Sequence, residues 1–341
     1  VLNLLKLIEN EVTKILLKKK LLLISGILLV LISLFAYGEN YKYNNTIYRY
    51  TKSNAQMQNY DWQSLVKQQI SDLKDRINRS DNANFNKNSS ESSASIEIER
   101  LQYYLDNNIN PITPNAAKFT INFMNQSIFL FLPLLVIILA GDIVSGEFSS
   151  KTIKLLLTRA IPRWEILLSK YIAIIIMTTL MIVETAVICI MVSTIIFHTG
   201  GWFEPVATGF KVVSEKLDAS NAIRIYQWQN AILIYSLGWI SIIAVASISF
   251  MVSVLVRSTA TSIGVMMASL ITGSFLQFFL SDWPLVKYYF AINLNLSKYL
   301  KGSYEIIPGM SFNFSIIVLC VWICLSLIVS FRVFTKQDVL V

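Results

Sequence analysis

The chain has 341 residues, with 29 Lys+Arg, 21 Asp+Glu, one His and three Cys; 54% of it is hydrophobic and 15% charged, and the mean hydropathy is +0.55. A soluble domain carries about 25% charged residues, so an ordinary water-soluble enzyme is excluded and an all-α polytopic membrane protein is indicated. A disulfide scaffold is excluded as well, because Cys189, Cys320 and Cys324 all lie inside apolar runs.

Residues 1–19 place Leu4, Leu5, Ile8, Val12, Ile15 and Leu16 at helical spacing with Lys6, Glu9, Glu11 and Lys14 between them. That pattern predicts an amphipathic interfacial helix along the inner leaflet, the alternative being a cytoplasmic extension of the first span. A spanning helix needs roughly 20 mostly apolar residues, and six stretches are expected to cross: 20–38, 119–141, 170–198, 230–256, 262–281 and 314–334. The first reads as a retained anchor, since Ala36-Tyr37-Gly38 is a poor cleavage site. Lys18, Lys19 and Lys20 abut the first span, basic residues crowd 142–169, Arg257 lies in the turn 257–261, and Arg332 and Lys336 close the last span before the tail 335–341. By the positive-inside rule both termini are expected in the cytoplasm of a bacterial plasma membrane.

Residues 39–118 change character, becoming rich in Asn, Ser, Gln and Tyr, and are expected outside as a mainly helical extracellular insertion. Trp62, Leu65, Val66, Ile70, Leu73 and Ile77 form one helical stripe; Ile98, Leu101, Tyr104 and Leu105 form a shorter one, with 81–95 a polar linker between them. A core this small is marginal alone, so the helical hairpin is expected to lean on neighbouring loops or on another subunit. The segments 199–229 and 282–313 are also expected outside, the latter partly re-entrant, with aromatic residues near their ends suited to the headgroup region.

Gly141 to Phe148 has the glycine spacing of a phosphate loop, but Glu147 stands where the phosphate-binding Lys belongs and Phe148 where the Mg²⁺-binding hydroxyl belongs. A nucleotide, if used, would sit on another polypeptide. His198 has no metal-ligand cluster around it and reads as an interfacial residue. Glu184 is the acidic residue deep in a span; such a group lines a path or gate, or is protonated and hydrogen-bonded for packing. The segment 142–169 is the informative one. Ile153, Leu156 and Leu157 place an apolar patch on a short helix ended before Pro162 and flanked by basic residues. It is shaped to press into a groove of a soluble partner, the bland alternative being a basic loop on lipid headgroups.

This stretch resembles the permease subunits of the ABC-2 family of ATP-binding-cassette exporters. Glu147, Thr152, Leu156-Leu157, Pro162 with Arg163, and Lys170 follow the family's order, and Phe334-Thr335-Lys336-Gln337-Asp338 is similar to its tail. The six-span layout, the leading amphipathic helix and a large first external loop agree with one branch of it. Lys151 stands where Gly is usual, and Ile161-Pro162-Arg163 replaces a longer Pro-x-x-Arg spacing. The resemblance implies a transport subunit that is not itself an enzyme. Two ABC ATPase subunits holding ATP and Mg would drive it, and a second copy or a homologous permease would complete the pore. Membrane lipid would surround it, and no nucleic acid is involved. It implies that Ile153, Leu156 and Leu157 anchor a coupling helix in the ATPase, that Lys151, Lys154 and Arg159 meet acidic partner residues, that Glu147 links the second span to that helix, and that Thr152 and Arg163 belong to the same contact. The cargo would be amphipathic or hydrophobic: a peptide antibiotic, a lipid-like molecule or a drug. A different class of function remains beside it, a membrane sensor or immunity-type protein whose extracellular domain binds a membrane-active ligand.

Overall fold

The computed structural model describes residues 2–53, 61–80, 87–153, 161–213, 216–280, 283–302, 307 and 309–336. Among them the chain is mainly helical. Five helices are long and apolar enough to cross a membrane, and six spans result if one bent pair is counted as a single crossing.

Helix α1 (Leu2–Leu17) is amphipathic and ends in a tight turn at Lys18 and Lys19, where Lys19 takes the left-handed conformation with φ 53°. Helix α2 (Lys20–Ser53) covers the first expected span but does not stop at residue 38. It runs on through the polar residues that follow, adding roughly 22 Å of helix, because nothing between Glu39 and Ser53 is a proline and helix propagation costs little once begun.

Two antiparallel helices, α3 (Trp62–Ser80) and α4 (Lys87–Asp106), make the distal hairpin. Val66, Ile70 and Leu101 are buried between them, bordered by Trp62, Leu73, Ile98 and Leu105. The polar linker expected over 81–95 is partly helix, since α4 already begins at Lys87. Burial of Ser92 and Ile96 shows why: the serine-rich turn carries a packed face.

The second expected span is broken. Helix α5 (Ala116–Ser127) and helix α6 (Phe131–Ala140) are bent by 62°. Pro133 has no N–H to give to the Phe129 carbonyl and its ring would press against it, so a continuous helix through 128–130 is disfavoured. After the short α7 (Ser145–Ser149), helix α8 (Arg163–Phe197) runs for 35 residues, about 52 Å, well beyond a hydrocarbon core of about 30 Å. His198 closes it in the left-handed conformation.

The segment 199–229 contains short strands that hydropathy alone did not announce. β1 (Pro205–Thr208) pairs antiparallel with β4 (Ile223–Tyr226), and β2 (Lys211–Val213) with β3 (Lys216–Asp218). These hairpins support the helical one: Ile109, Ala207 and Phe210 share a buried cluster, and Glu99 Oε2 accepts from the Leu217 amide at 2.6 Å.

Helix α9 (Gln227–Leu255) is the hub, packed on α5, α6, α8, α10 (Thr259–Phe279) and α11 (Phe312–Lys336). Its buried face is rich in small residues, among them Gly238, Ser241, Ala244, Ala246, Ser247, Ser249 and Ser253. Between apolar helices there is little hydrophobic gain to be had in lipid, so close backbone approach carries the association. At Gly238 a Cβ would stand 2.0 Å from Met124 Cε of α5. Between α10 and α11 the chain folds back in short 3₁₀ turns, with Phe290, Ala291, Ile292, Asn293, Leu294 and Leu296 all buried against neighbouring helices.

Candidate functional site: a charge knot at the bundle end

The segment between α6 and α8 meets three other parts of the chain. Glu147, on α7, is 4% exposed, and its Oε1 accepts from Lys170 Nζ at 2.6 Å and from Lys14 Nζ. Lys170, fully buried two turns into α8, also reaches Glu11 Oε2 at 2.9 Å. Glu11 and Lys14 are three residues apart on one face of α1, so the amphipathic helix presents a carboxylate and an ammonium to a carboxylate and an ammonium. Glu147 Oε2 is buried without a hydrogen bond among the described residues.

Asp142 extends the knot. Its Oδ2 lies 3.2 Å from Lys18 Nζ and 2.5 Å from Lys20 Nζ, and Lys20 Nζ also donates to the Ile138 carbonyl at 3.3 Å. For Lys14, burial alone would lower the ammonium pKa. The hydrogen bond and charge of Glu147, with the charges of Glu11 and Asp142, outweigh it and hold Lys14 above the ordinary lysine value.

On its other side the same segment grips the turn between α9 and α10. The amides of Val144 and Ser145 donate to Ser253 Oγ at 3.1 and 3.0 Å. Ser149 Oγ accepts from the Thr259 amide at 3.3 Å, and the Arg257 guanidinium lies 5.9 Å from the centre of the Phe148 ring. Residues 142–149 therefore join α1, α8 and the α9–α10 turn. A displacement of this segment must move all three or break buried ion pairs, and removing one partner of such a pair costs about 3–5 kcal/mol.

The residues singled out from the sequence are divided by the structure. Glu147 is at the centre of the knot. Lys151 is exposed with φ 58°, and Thr152, also exposed, returns its amide to the Glu147 carbonyl at 3.0 Å. Ile153 is 4% exposed and belongs to this chain's own core. The turn at 150–152 directs its side chain inward. Lys154, Leu156, Leu157 and Arg159 lie outside the described residues. Arg163 begins α8 and donates from Nη1 to the Thr335 carbonyl of α11 at 3.5 Å. Glu184 is distant in sequence from the knot, and its Oε2 is buried without a hydrogen bond among the described residues.

Glu11, Lys14, Asp142 and Ser253 were not singled out, and Lys170 only as part of a motif. A signal was available for Lys170, a lone lysine in the apolar run Ile166 to Ile176, which must find a partner. Its partners lie 23 and 159 positions away, so their identity was not legible.

A second surface lies toward the other end of α8 and α9. An apolar groove of about 660 Å³ runs between these helices, bordered by Val183, Val187, Trp202, Trp228, Ile232 and Trp239. Trp239 Nε1 is satisfied by Thr179 Oγ1 at 2.9 Å, which leaves the indole face to the groove.

Residues 84–340 match the family described as "Protein of unknown function (DUF2705)". The chain is also similar to two proteins of Bacillus subtilis (strain 168). One, "Uncharacterized protein YhcI", is 29% identical over 209 residues, which are 60% of this chain and 64% of that protein. The other, "Uncharacterized membrane protein YdbK", is 24% identical over 217 residues, 62% of this chain and 80% of that protein. The chain thus spans somewhat less than two thirds of the length of the first of these relatives. The matched stretch takes in Asp142, Glu147, Lys170 and Ser253 and leaves out α1. With three quarters of its length so matched, this many-helix membrane protein belongs to the DUF2705 family.

Proposed function

We propose that the chain is the membrane-spanning permease subunit of an ABC-2 type exporter, coupling ATP hydrolysis on two separate ATPase subunits to the outward movement of an amphipathic or hydrophobic cargo. The observation that carries the reading is the Glu147 knot: a segment between two membrane helices that is bonded at once to α1, to α8 and to the α9–α10 turn. Such a segment transmits a push from a soluble partner to several helices together. On this reading Lys151, Lys154, Leu156, Leu157 and Arg159 meet the ATPase, while Glu147 and Lys170 carry the displacement inward. ATP and Mg are, on this reading, held by the partner; in this chain the glycine-spaced stretch 141–148 has Glu147, buried in ion pairs, where a phosphate loop has its lysine. The bent pair α5 and α6 counts as one crossing, giving six spans with both termini cytoplasmic. A second permease, identical or homologous, covers the apolar faces left on the bundle. The groove between α8 and α9, apolar and rimmed by tryptophans, supports the cargo class.

The test is affinity purification of the tagged protein from its own cells in mild detergent, with partners identified by mass spectrometry. An ATPase subunit in near-equal amount, lost when Leu156→Asp and Leu157→Asp are combined, is the expected result. A monodisperse preparation without an ATPase overturns the assignment. Recovery of a histidine kinase instead favours the sensor reading.

A further inference from the structure

Between α4, the start of α5, β1 and the start of α9 lies a cavity of about 240 Å³. Three cations border it: Arg100, Lys118 and Lys301. Two are accounted for by the protein. Lys118 Nζ uses its donors on the Asn110 and Thr113 carbonyls at 2.8 and 3.0 Å and on Glu204 Oε2 at 3.3 Å. Arg100 pairs with Glu97 and gives Nη1 to the Lys301 carbonyl at 3.2 Å.

Lys301 is different. Its backbone is fixed by the bridge to Phe210 and by that Arg100 bond, yet its ammonium has neither a carboxylate nor a hydrogen-bond acceptor among the described residues. Burial first, and then the Arg100 charge beside it, lower its pKa to about 8. Two side-chain amides border the same space. The side chains of Gln227 and Asn230, 3% and 7% exposed, border the cavity and find no side-chain hydrogen bond among the described residues. A largely buried ammonium without a partner is costly. Here it shares one space with the two amides and a single carboxylate, Glu97, already committed to Arg100.

We propose that this cavity is an anion site that takes a phosphoryl or carboxylate group, with Lys301 as its principal cation and Gln227 and Asn230 as hydrogen-bond donors. One such group, with a small substituent, fits a space of this size, given that a water molecule takes about 30 Å³. A membrane phospholipid headgroup and a soluble phosphate offer the same chemistry. The inference stands on the cavity alone and does not rest on the exporter reading.

Isothermal titration of the full chain in non-ionic detergent tests it, with inorganic phosphate in one arm and short-chain phosphatidylglycerol in the other. Wild type is expected to bind at least one probe saturably at one site per chain. Lys301→Gln is expected to weaken that binding about tenfold, the loss of one charge-assisted contact. Lys301→Arg should retain it, and Lys216→Gln, at an exposed lysine of β3, should leave it unchanged. Binding of phosphate assigns a soluble anion, binding of the lipid alone assigns a headgroup, and either supports the site. Absence of saturable binding by both probes, or equal binding by Lys301→Gln, overturns it. Should Lys301→Gln fail to purify intact, phosphate titration of wild type between pH 8 and 10 decides. There phosphate is already a dianion, so affinity should fall by about tenfold in all across this range as the lysine deprotonates, the same loss as expected for Lys301→Gln; unchanged affinity overturns the site.

Discussion

Lys170 Nζ lies 2.6 Å from Glu147 Oε1, and the two side chains are 0% and 5% exposed. The segment after α6 is thereby locked to α8 two turns from its start, although 13 residues separate Ser149 from Arg163.

Glu147→Gln leaves an ammonium buried with Glu11 as its carboxylate, and Lys170→Met leaves two carboxylates facing each other. Each should destabilise the fold by about 3–5 kcal/mol. The double variant Glu147→Gln with Lys170→Met should recover part of the loss. Thermal unfolding in detergent of the two singles and the double measures the coupling, and additive losses would show that the pair is not a unit.

Lys14 is 42% exposed in its side chain, so its ion pair with Glu147 is screened by water. Lys14→Ala should therefore cost no more than about 1 kcal/mol. Its effect should instead be local, with faster amide exchange in α1 while α8 and α9 stay protected. Hydrogen exchange read by mass spectrometry checks this, and uniform deprotection of all helices would count against it.

At Gly238 an added methyl meets the far end of Met124, 2.0 Å from Cε. Gly238→Ala should lower the thermal midpoint, as overpacking typically costs about 1–3 kcal/mol. Met124→Ala in the same chain should restore much of it by vacating the space, which separates a steric clash from a change in helix propensity.

Lys301 gives a pH dependence of known sign. Its pKa is about 8 in the fold against an ordinary 10.5, so the folded state favours the neutral amine. The stability contributed by this group is full above about 10.5 and is lost as pH falls to about 8; below that the whole penalty of the buried charge applies. Wild type should thus gain relative to Lys301→Gln as pH rises from 8 to 10. Thermal midpoints of both proteins across that range are the measurement, and parallel curves would refute the assignment.

The broken second span shows where local reading stops. Hydropathy gave a single crossing over 119–141, and Pro133 was in plain sight within it. Whether a proline kinks or breaks a membrane helix depends on what neighbouring helices supply to the freed carbonyls, and here the chain turns through 128–130 to give the 62° bend. The distal hairpin was more legible, because Val66 and Ile70 follow the helical period on one stripe and Leu101 on the other, and the two stripes meet. Its support was not: the strands of 205–226 are three or four residues long, too short for alternation to stand out.

By itself the sequence determined that the chain is a membrane protein, where its apolar helices run and which helix faces are greasy. Those properties depend on transfer free energy and on a period of 3.6 residues, both of which are local. Tertiary structure alone decided that Glu147 meets Lys14 and Lys170, that Ile153 turns inward, and that Lys301 shares a cavity with Gln227 and Asn230. Each of these joins positions far apart in the chain. A buried charge obliges a partner to exist, but which partner it meets is set by how the helices pack.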